Sequence, residues 1–154
     1  MLPVVLLDQT GGDYWKHFHS FVTDTLLADG MISPEDLALY KVTDSVQEAV
    51  DETLHFYRVY HSMRYVGDTL VLRIRQPLTA EQLDALNEEF SDILTSGRIE
   101  QGPALGPESN EPEIAHLPRL TLHFDRKQLG RLRMLINAIN NTCPDCDIPS
   151  TSSS

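Results

Sequence analysis

A short apolar segment near the start of the chain limits the folds open to it. Residues 3–7 are Pro-Val-Val-Leu-Leu, and the polar loop 8–13, with Gly11 and Gly12, follows them. An apolar run of this length is typical of a strand buried on both faces, as in parallel α/β sheets. Such a strand needs partners on both edges and both faces. We therefore predict that it belongs to a sheet larger than residues 1–61 can form, supplied by a larger parent domain or by another subunit.

The hydrophobic pattern divides the remaining chain into three parts. Residues 1–61 follow the order strand, helix, short helix and longer helix, and residues 62–141 follow the order hairpin, helix, strand, strand and helix. The second part is an α+β layer that could fold alone. Residues 142–154 are rich in Pro, Ser and Thr, which predicts a disordered tail. The predicted fold class is α/β, with a C-terminal fragment of a Rossmann-like parallel sheet domain before a small α+β domain.

Local signals predict where several elements begin and end. Capping-box pairs start two helices, a Gly-Asp pair forms a hairpin turn, and a glycine ends the helix that begins near residue 80. The helix that follows Asp44 is expected to bury its apolar stripe, and the Gly- and Pro-rich residues 102–113 are expected to form a solvated loop. The residues that carry these signals are Ser33 with Asp36, Thr79 with Gln82, Gly67 with Asp68, Gly97, and the stripe Val46, Ala49, Val50, Thr53, Leu54, Tyr57 and Tyr60.

Charge excludes some functions and directs attention to two segments. The formal net charge is −11, which argues against binding of a nucleic-acid backbone as the main activity. Residues 53–80 carry four arginines and one acid, and residues 114–154 carry five bases and three acids, so an anionic ligand should prefer these two segments. No apolar run is long enough to span a membrane, and no basic leader is present, so a cytoplasmic location is expected.

The first third of the chain resembles the closing part of a known family. Residues 3–7, the Gly-Asp-Tyr-Trp of residues 12–15, and the stretch Leu-Ala-Asp-Gly-Met-Ile-Ser-Pro-Glu-Asp of residues 27–36 occur in order, followed by Val-Thr-Asp-Ser at 42–45. This string resembles the last strand and last helices of the Lonely Guy proteins, once called lysine-decarboxylase-like, over about residues 1–54. Residues 55–141 resemble a C-terminal extension of larger bacterial members, described only as Rossmann-fold nucleotide-binding proteins.

The resemblance implies a function that this chain does not carry by itself. Family members are Rossmann-like enzymes, usually dimeric, that hydrolyse the N-glycosidic bond of nucleoside 5′-monophosphates. Their chemistry depends on a Pro-Gly-Gly-x-Gly-Thr-x-x-Glu motif and an arginine, and no such motif occurs in these 154 residues. We therefore expect the C-terminal portion of a phosphoribohydrolase, inactive alone, with no catalytic residue and no cofactor. The implied partners are a nucleotide or other phosphate-bearing small molecule and a second copy of the chain, with no nucleic acid and no membrane.

A different interpretation is a stand-alone ligand-sensing or protein-interaction module. In that case the strand near residues 3–7 would pair with a partner by strand addition. The sequence immediately upstream distinguishes the two hypotheses, because only the first requires a βαβ pattern with the Gly-rich motif there.

Two segments contain candidate ligand-binding residues. Gly11 and Gly12 lie between a predicted strand end and a helix start, where ligands bind in open α/β sheets, although a role in turn geometry alone is the simpler interpretation. Residues 55–65 combine aromatic and basic side chains, which could stack a base and pair with a phosphate, or simply pack in the core and at a domain junction. The candidates in this second segment are Arg58, Tyr60, His61, Arg64 and Tyr65.

Cys143 and Cys146 are candidates for metal ligands. Their spacing is that of a zinc knuckle, but a structural zinc site needs four ligands and the chain has one cysteine pair. We therefore predict tail cysteines without a metal.

Overall fold

The computed structural model describes residues 1–108 and 110–143. They form four α-helices and six strands. The strands make two sheets, a parallel one with two strands and an antiparallel one with four. The mixed α/β class is therefore as predicted. In chain order, the elements are β1 (Val5–Leu7), α1 (Tyr14–Phe21), β2 (Lys41–Thr43), α2 (Val46–Phe56), β3 (Tyr60–Val66), β4 (Thr69–Ile74), α3 (Ala80–Glu89), β5 (Leu94–Gly102), β6 (Arg119–Phe124) and α4 (Leu129–Asn141).

Strands β1 and β2 form a short parallel ladder. Leu6 lies opposite Val42, and the ladder is closed by hydrogen bonds from the Lys41 N–H to the Val4 carbonyl and from the Asp8 N–H to the Thr43 carbonyl, both 2.9 Å. Among the described residues no third strand joins this sheet. Within that part of the chain, the apolar strand has β2 as its one neighbour, although residues 1–61 were predicted to supply none. Its other edge, called the free edge below, has no described partner strand.

The first 54 residues contain almost no core. Among their hydrophobic side chains only Val22 is buried, whereas ten of the twelve large hydrophobic side chains exposed in the described residues lie here. The predicted burial of the α2 stripe is wrong for its first three turns, because Val46 is 68% exposed and Val50 and Leu54 are also exposed. Helix α2 contacts β1, β2 and α4, and it turns Phe56 toward α4, so only part of the predicted stripe is covered.

Strands β3 to β6 form the antiparallel sheet in the order β3-β4-β6-β5. The Gly67-Asp68 turn joins β3 to β4 as predicted, with a φ of 61° at Gly67 that an L side chain rarely adopts. One face of the sheet carries apolar side chains from all four strands, and α3, α4 and the end of α2 contribute to the same core. The core of the chain therefore lies between residues 56 and 139.

The path after α3 differs from the prediction. The helix ends at Glu89, a 3-10 turn covers Ser91–Ile93, and Gly97 lies within β5 with a φ of 69°. The pairing of β5 with β6 shifts register between Ser96 and Glu100, so Gly97 belongs to an irregularity in a strand. A positive φ suits a helix end and a β-bulge equally, which is why the local signal was misleading.

Helix α4 joins the two parts of the chain. It packs on the 3-10 helix Pro34–Leu39 and on α2. At its start Gly130 lies against the backbone of Glu35, and a Cβ on Gly130 would overlap the Glu35 carbonyl group. No α-helix of the described residues is long and apolar enough to cross a bilayer.

Candidate functional site

Three arginines lie side by side on the face of the antiparallel sheet that points away from the core. Arg73 of β4 lies opposite Ser62 of β3 on one side and opposite Arg119 of β6 on the other. Arg64 is two residues beyond Ser62 on the same face. Directly opposed side chains in a sheet have Cβ atoms about 5 Å apart, so like charges here repel unless anions lie between them.

The carboxylate of Glu108 lies between two of these arginines. Its oxygens accept hydrogen bonds from Nε of Arg73 at 2.9 Å and from Nε of Arg119 at 3.1 and 3.2 Å, and its Oε2 also accepts from the Leu105 N–H at 3.0 Å. The Glu108 and Arg119 side chains are fully buried. Arg119 further donates to the backbone carbonyls of Leu117 and Ile114. The segment expected to be a solvated loop is therefore anchored to the sheet through Glu108.

Glu111 forms a second, more accessible bridge. Its Oε1 accepts from Nη1 of Arg64 at 2.7 Å, and its Oε2 lies 2.7 Å from Nη2 of Arg73. The Glu111 side chain is 37% exposed, compared with 7% for Arg73. Nη2 of Arg73 is buried and lies within ion-pair distance of both Glu108 and Glu111, yet it makes no hydrogen bond of acceptable geometry.

The surroundings of Glu108 and His61 lower the pKa of both side chains. Burial would raise the pKa of the Glu108 carboxyl, but hydrogen bonds from the Leu105 N–H and from Arg119 and Arg73 outweigh burial and leave the pKa below its ordinary value. Burial, together with the positive charges of nearby arginines, lowers the pKa of His61. His61 Nδ1 lies 2.8 Å from the Ser62 hydroxyl, which in turn lies 3.4 Å from Nη1 of Arg73. Three arginines face the carboxylates of Glu108 and Glu111, so the site has a positive charge in excess and is suited to holding anions.

The predicted residues of segment 55–65 are distributed over four environments. Arg64 and His61 belong to the arginine site, whereas Tyr60 is in the core, where burial and the nearby Tyr57 raise its pKa to about 12. Tyr65 is exposed at the hairpin end, and the guanidinium of Arg126 lies 4.4 Å above its ring.

Arg58 lies two residues beyond α2, near His55. Burial lowers the pKa of His55, and the charges of Arg58 and Arg133 lower it further. Arg133 pairs with Glu52 at 2.6 Å and lies 4.3 Å above the Phe56 ring. Nε of Arg58 and both Nε and Nη1 of Arg133 are buried without a hydrogen-bond partner. Burial lowers the pKa of Arg133, although Glu52 opposes that shift.

The Gly11-Gly12 loop is occupied by the chain's own carboxylates. The Gly11 N–H donates to Asp44 at 2.9 Å, and the Trp15 N–H donates to Asp8 at 3.3 Å. A Cβ on Gly12 would overlap the Asp8 carboxylate. Gly11 has a φ of 75°, and both glycines therefore satisfy the geometry of this turn.

Cys143 follows α4, packs against the core and is not a free thiol, and Cys146 lies outside the described residues. Within residues 1–108 and 110–143, no three His, Cys, Asp or Glu side chains are grouped closely enough to hold a metal ion.

Sequence reasoning missed four residues of the arginine site. Arg73 and Arg119 lie in the two central strands, next to buried apolar residues. A basic residue at such a position is unusual, and this was the available signal that both arginines have a special role. Glu108 and Glu111 carried no local signal, because only the folded chain places them on the sheet. Comparisons of the chain with protein families, with curated proteins and with solved structures find no match.

Proposed function

We propose that residues 1–54 are the closing part of a Rossmann-like nucleotide-binding domain, and that the chain is the C-terminal portion of a nucleoside 5′-monophosphate phosphoribohydrolase. The free edge of β1 is the observation that carries this proposal. A two-stranded parallel sheet with no core of its own is not independently stable, because parallel strands occur with both faces covered.

The composition of the two strands indicates where the rest of the sheet lies. Strand β2 contains Lys41, whose side chain is 41% exposed, and lysine is typical of a sheet's outer edge. Strand β1 is wholly apolar, which is typical of an inner position. The missing strands therefore pair with β1, and the exposed side chains of Val4 and Leu7 become buried under elements that this chain does not contain.

In the proposed reaction, water adds to the anomeric carbon of the ribose 5-phosphate unit and the nucleobase leaves with a proton. This chain supplies no group to that reaction, because the Gly-rich motif that the resemblance requires does not occur in it. Its contribution is structural: it completes the sheet, and its α1 and α2 surfaces take part in a homo-oligomer. Their exposed apolar side chains support such a contact.

The direct test compares this chain with the polypeptide encoded by the whole reading frame that contains it. Both are incubated with AMP, GMP, CMP and UMP, and free base and ribose 5-phosphate are measured. Release by the longer polypeptide and none by the chain alone supports the proposal. Release by neither, or by the chain alone, overturns it.

A matched pair of variants tests the role of β1. Val4 and Leu129 are 47% and 46% exposed, and only Val4 lies next to β1 in the chain. In the longer polypeptide, Val4→Lys should reduce base release and thermal stability, whereas Leu129→Lys should leave both unchanged. Equal effects of the two substitutions would contradict the inner position of β1.

The free edge also supports the interaction module that adds β1 to a partner's sheet. The upstream reading frame distinguishes the two functions. A βαβ unit with the Gly-rich motif supports the hydrolase, and a reading frame without either supports the module.

A further inference from the structure

We propose that Arg64, Arg73 and Ser62 form a binding site for the phosphate group of a small phosphomonoester, and that Glu111 occupies this site in the free protein. This site lies in the antiparallel sheet, and its occupation does not depend on the hydrolase activity proposed above. It can therefore be tested on this chain alone.

The two carboxylates of the arginine site differ in how firmly they are held. Glu108 is fully buried and accepts hydrogen bonds from two guanidinium groups and one backbone N–H. The Glu111 side chain is more than a third exposed, and among the described residues it is held by Arg64 and Arg73. Glu111 can therefore leave while Glu108 keeps the loop anchored to the sheet.

Charge and geometry favour a phosphate over the carboxylate of Glu111. Three arginines face two carboxylates, so the site has one positive charge in excess, and a phosphate dianion in place of Glu111 neutralises it. Nη2 of Arg73 is buried without a well-formed hydrogen bond although Glu111 is close to it. A tetrahedral phosphate has a third oxygen, which the Ser62 hydroxyl can reach because it lies 3.4 Å from Nη1 of Arg73.

The experiment measures binding of inorganic phosphate and of ribose 5-phosphate by isothermal titration calorimetry at low ionic strength. Glu111→Gln removes the competing charge and should tighten binding by about tenfold, the factor that corresponds to one charge-assisted hydrogen bond. Arg64→Gln should weaken binding by about the same factor. Unchanged thermal unfolding of each variant establishes that the sheet is intact.

An exposed ion pair between β5 and α3 gives matched controls. Arg98 and Asp84 lie 2.6 Å apart and are both more than half exposed, so Asp84→Asn and Arg98→Gln change the net charge equally without touching the site. Both controls should leave the affinity unchanged. Tighter binding of ribose 5-phosphate than of inorganic phosphate identifies a monoester ligand, and the reverse identifies free phosphate as the ligand of the same site. The proposal is overturned if neither the natural protein nor Glu111→Gln binds either compound. It is also overturned if Asp84→Asn and Arg98→Gln change the affinity as much as Glu111→Gln and Arg64→Gln do.

Discussion

The side-chain oxygen of Asn140 accepts a hydrogen bond from the backbone N–H of Tyr60 at 2.9 Å, which joins the end of α4 to the start of β3. The same oxygen accepts from the Val59 N–H at 2.9 Å, and the amide nitrogen donates to the Phe56 carbonyl at 2.7 Å. Asn140 is fully buried. One side chain thus satisfies three buried backbone groups at the junction of α2 and β3.

Asn140→Ala should therefore destabilise the protein strongly. Loss of the amide leaves three buried backbone groups without partners, and we expect a decrease of roughly 2–4 kcal/mol in the free energy of unfolding. Urea denaturation followed by circular dichroism measures it. Asn141→Ala, at the exposed neighbouring position, is the control and should change the free energy of unfolding by less than about 0.5 kcal/mol. Similar losses for both variants would contradict the bridging role.

Gly130→Ala should be destabilising even though alanine favours helices. The intrinsic gain of about 1 kcal/mol is outweighed because the new Cβ overlaps the Glu35 carbonyl and forces α4 away from the 3-10 helix Pro34–Leu39. We expect a net loss of roughly 1–3 kcal/mol in the free energy of unfolding, measured by thermal and urea denaturation. Gly106→Ala has open space around the new Cβ and should be close to neutral. A stabilised Gly130→Ala protein would show that α4 does not pack so closely.

Acid should weaken the anchor at Glu108. The folded state lowers the pKa of this carboxyl below its ordinary value of 4.5, so the ion pairs stabilise the protein above that pH and are lost as pH falls through the lowered pKa. Glu108→Gln should cost about 3–5 kcal/mol at pH 7, because two arginines lose the carboxylate charge between them. The difference between the two proteins should shrink as pH falls below 4.5, as followed by urea denaturation at a series of pH values. A difference that is independent of pH would show that the charge of Glu108 contributes nothing.

Truncation to alanine should cost much more stability in the core than in the exposed part of the α2 stripe. Leu132 is fully buried, and Leu132→Ala should cost about 2–5 kcal/mol in urea denaturation. Val50 is 44% exposed, and Val50→Ala should cost less than about 0.5 kcal/mol. In the longer polypeptide proposed above, Val50→Ala should become more costly, because the stripe is then covered. An unchanged effect of Val50→Ala in both settings would argue that the stripe stays exposed.

Much of the local structure follows from short-range signals. Ser33 and Asp36 form the predicted capping box, and so do Thr79 and Gln82, because each pair satisfies backbone N–H groups within one helical turn. The hairpin at Gly67 is likewise predictable from two residues. The order of elements in residues 62–141 follows from such signals together with hydrophobic periodicity.

The arrangement of the arginine site was predictable in part. The positive charge of residues 53–80 drew attention to the segment that contains Arg64, Arg73 and His61, and anion binding there stays a prediction. That Arg73 lies opposite Arg119 was not predictable, because the two residues are 46 positions apart in the sequence and only the register of β4 and β6 brings them together. Glu108 and Glu111 reach the sheet only when the intervening loop folds across it.

The sequence by itself determined the caps, the turns and the periodicity of each element, since these depend on residues within a few positions of each other. Only the tertiary structure decided which side of α2 is covered, that β1 pairs with β2 and has one free edge, and that Gly97 lies in a strand. Burial depends on the surfaces that neighbouring elements present, and those neighbours are distant in sequence. A periodic stripe shows that a helix has an apolar face, but whether that face is covered depends on what packs against it.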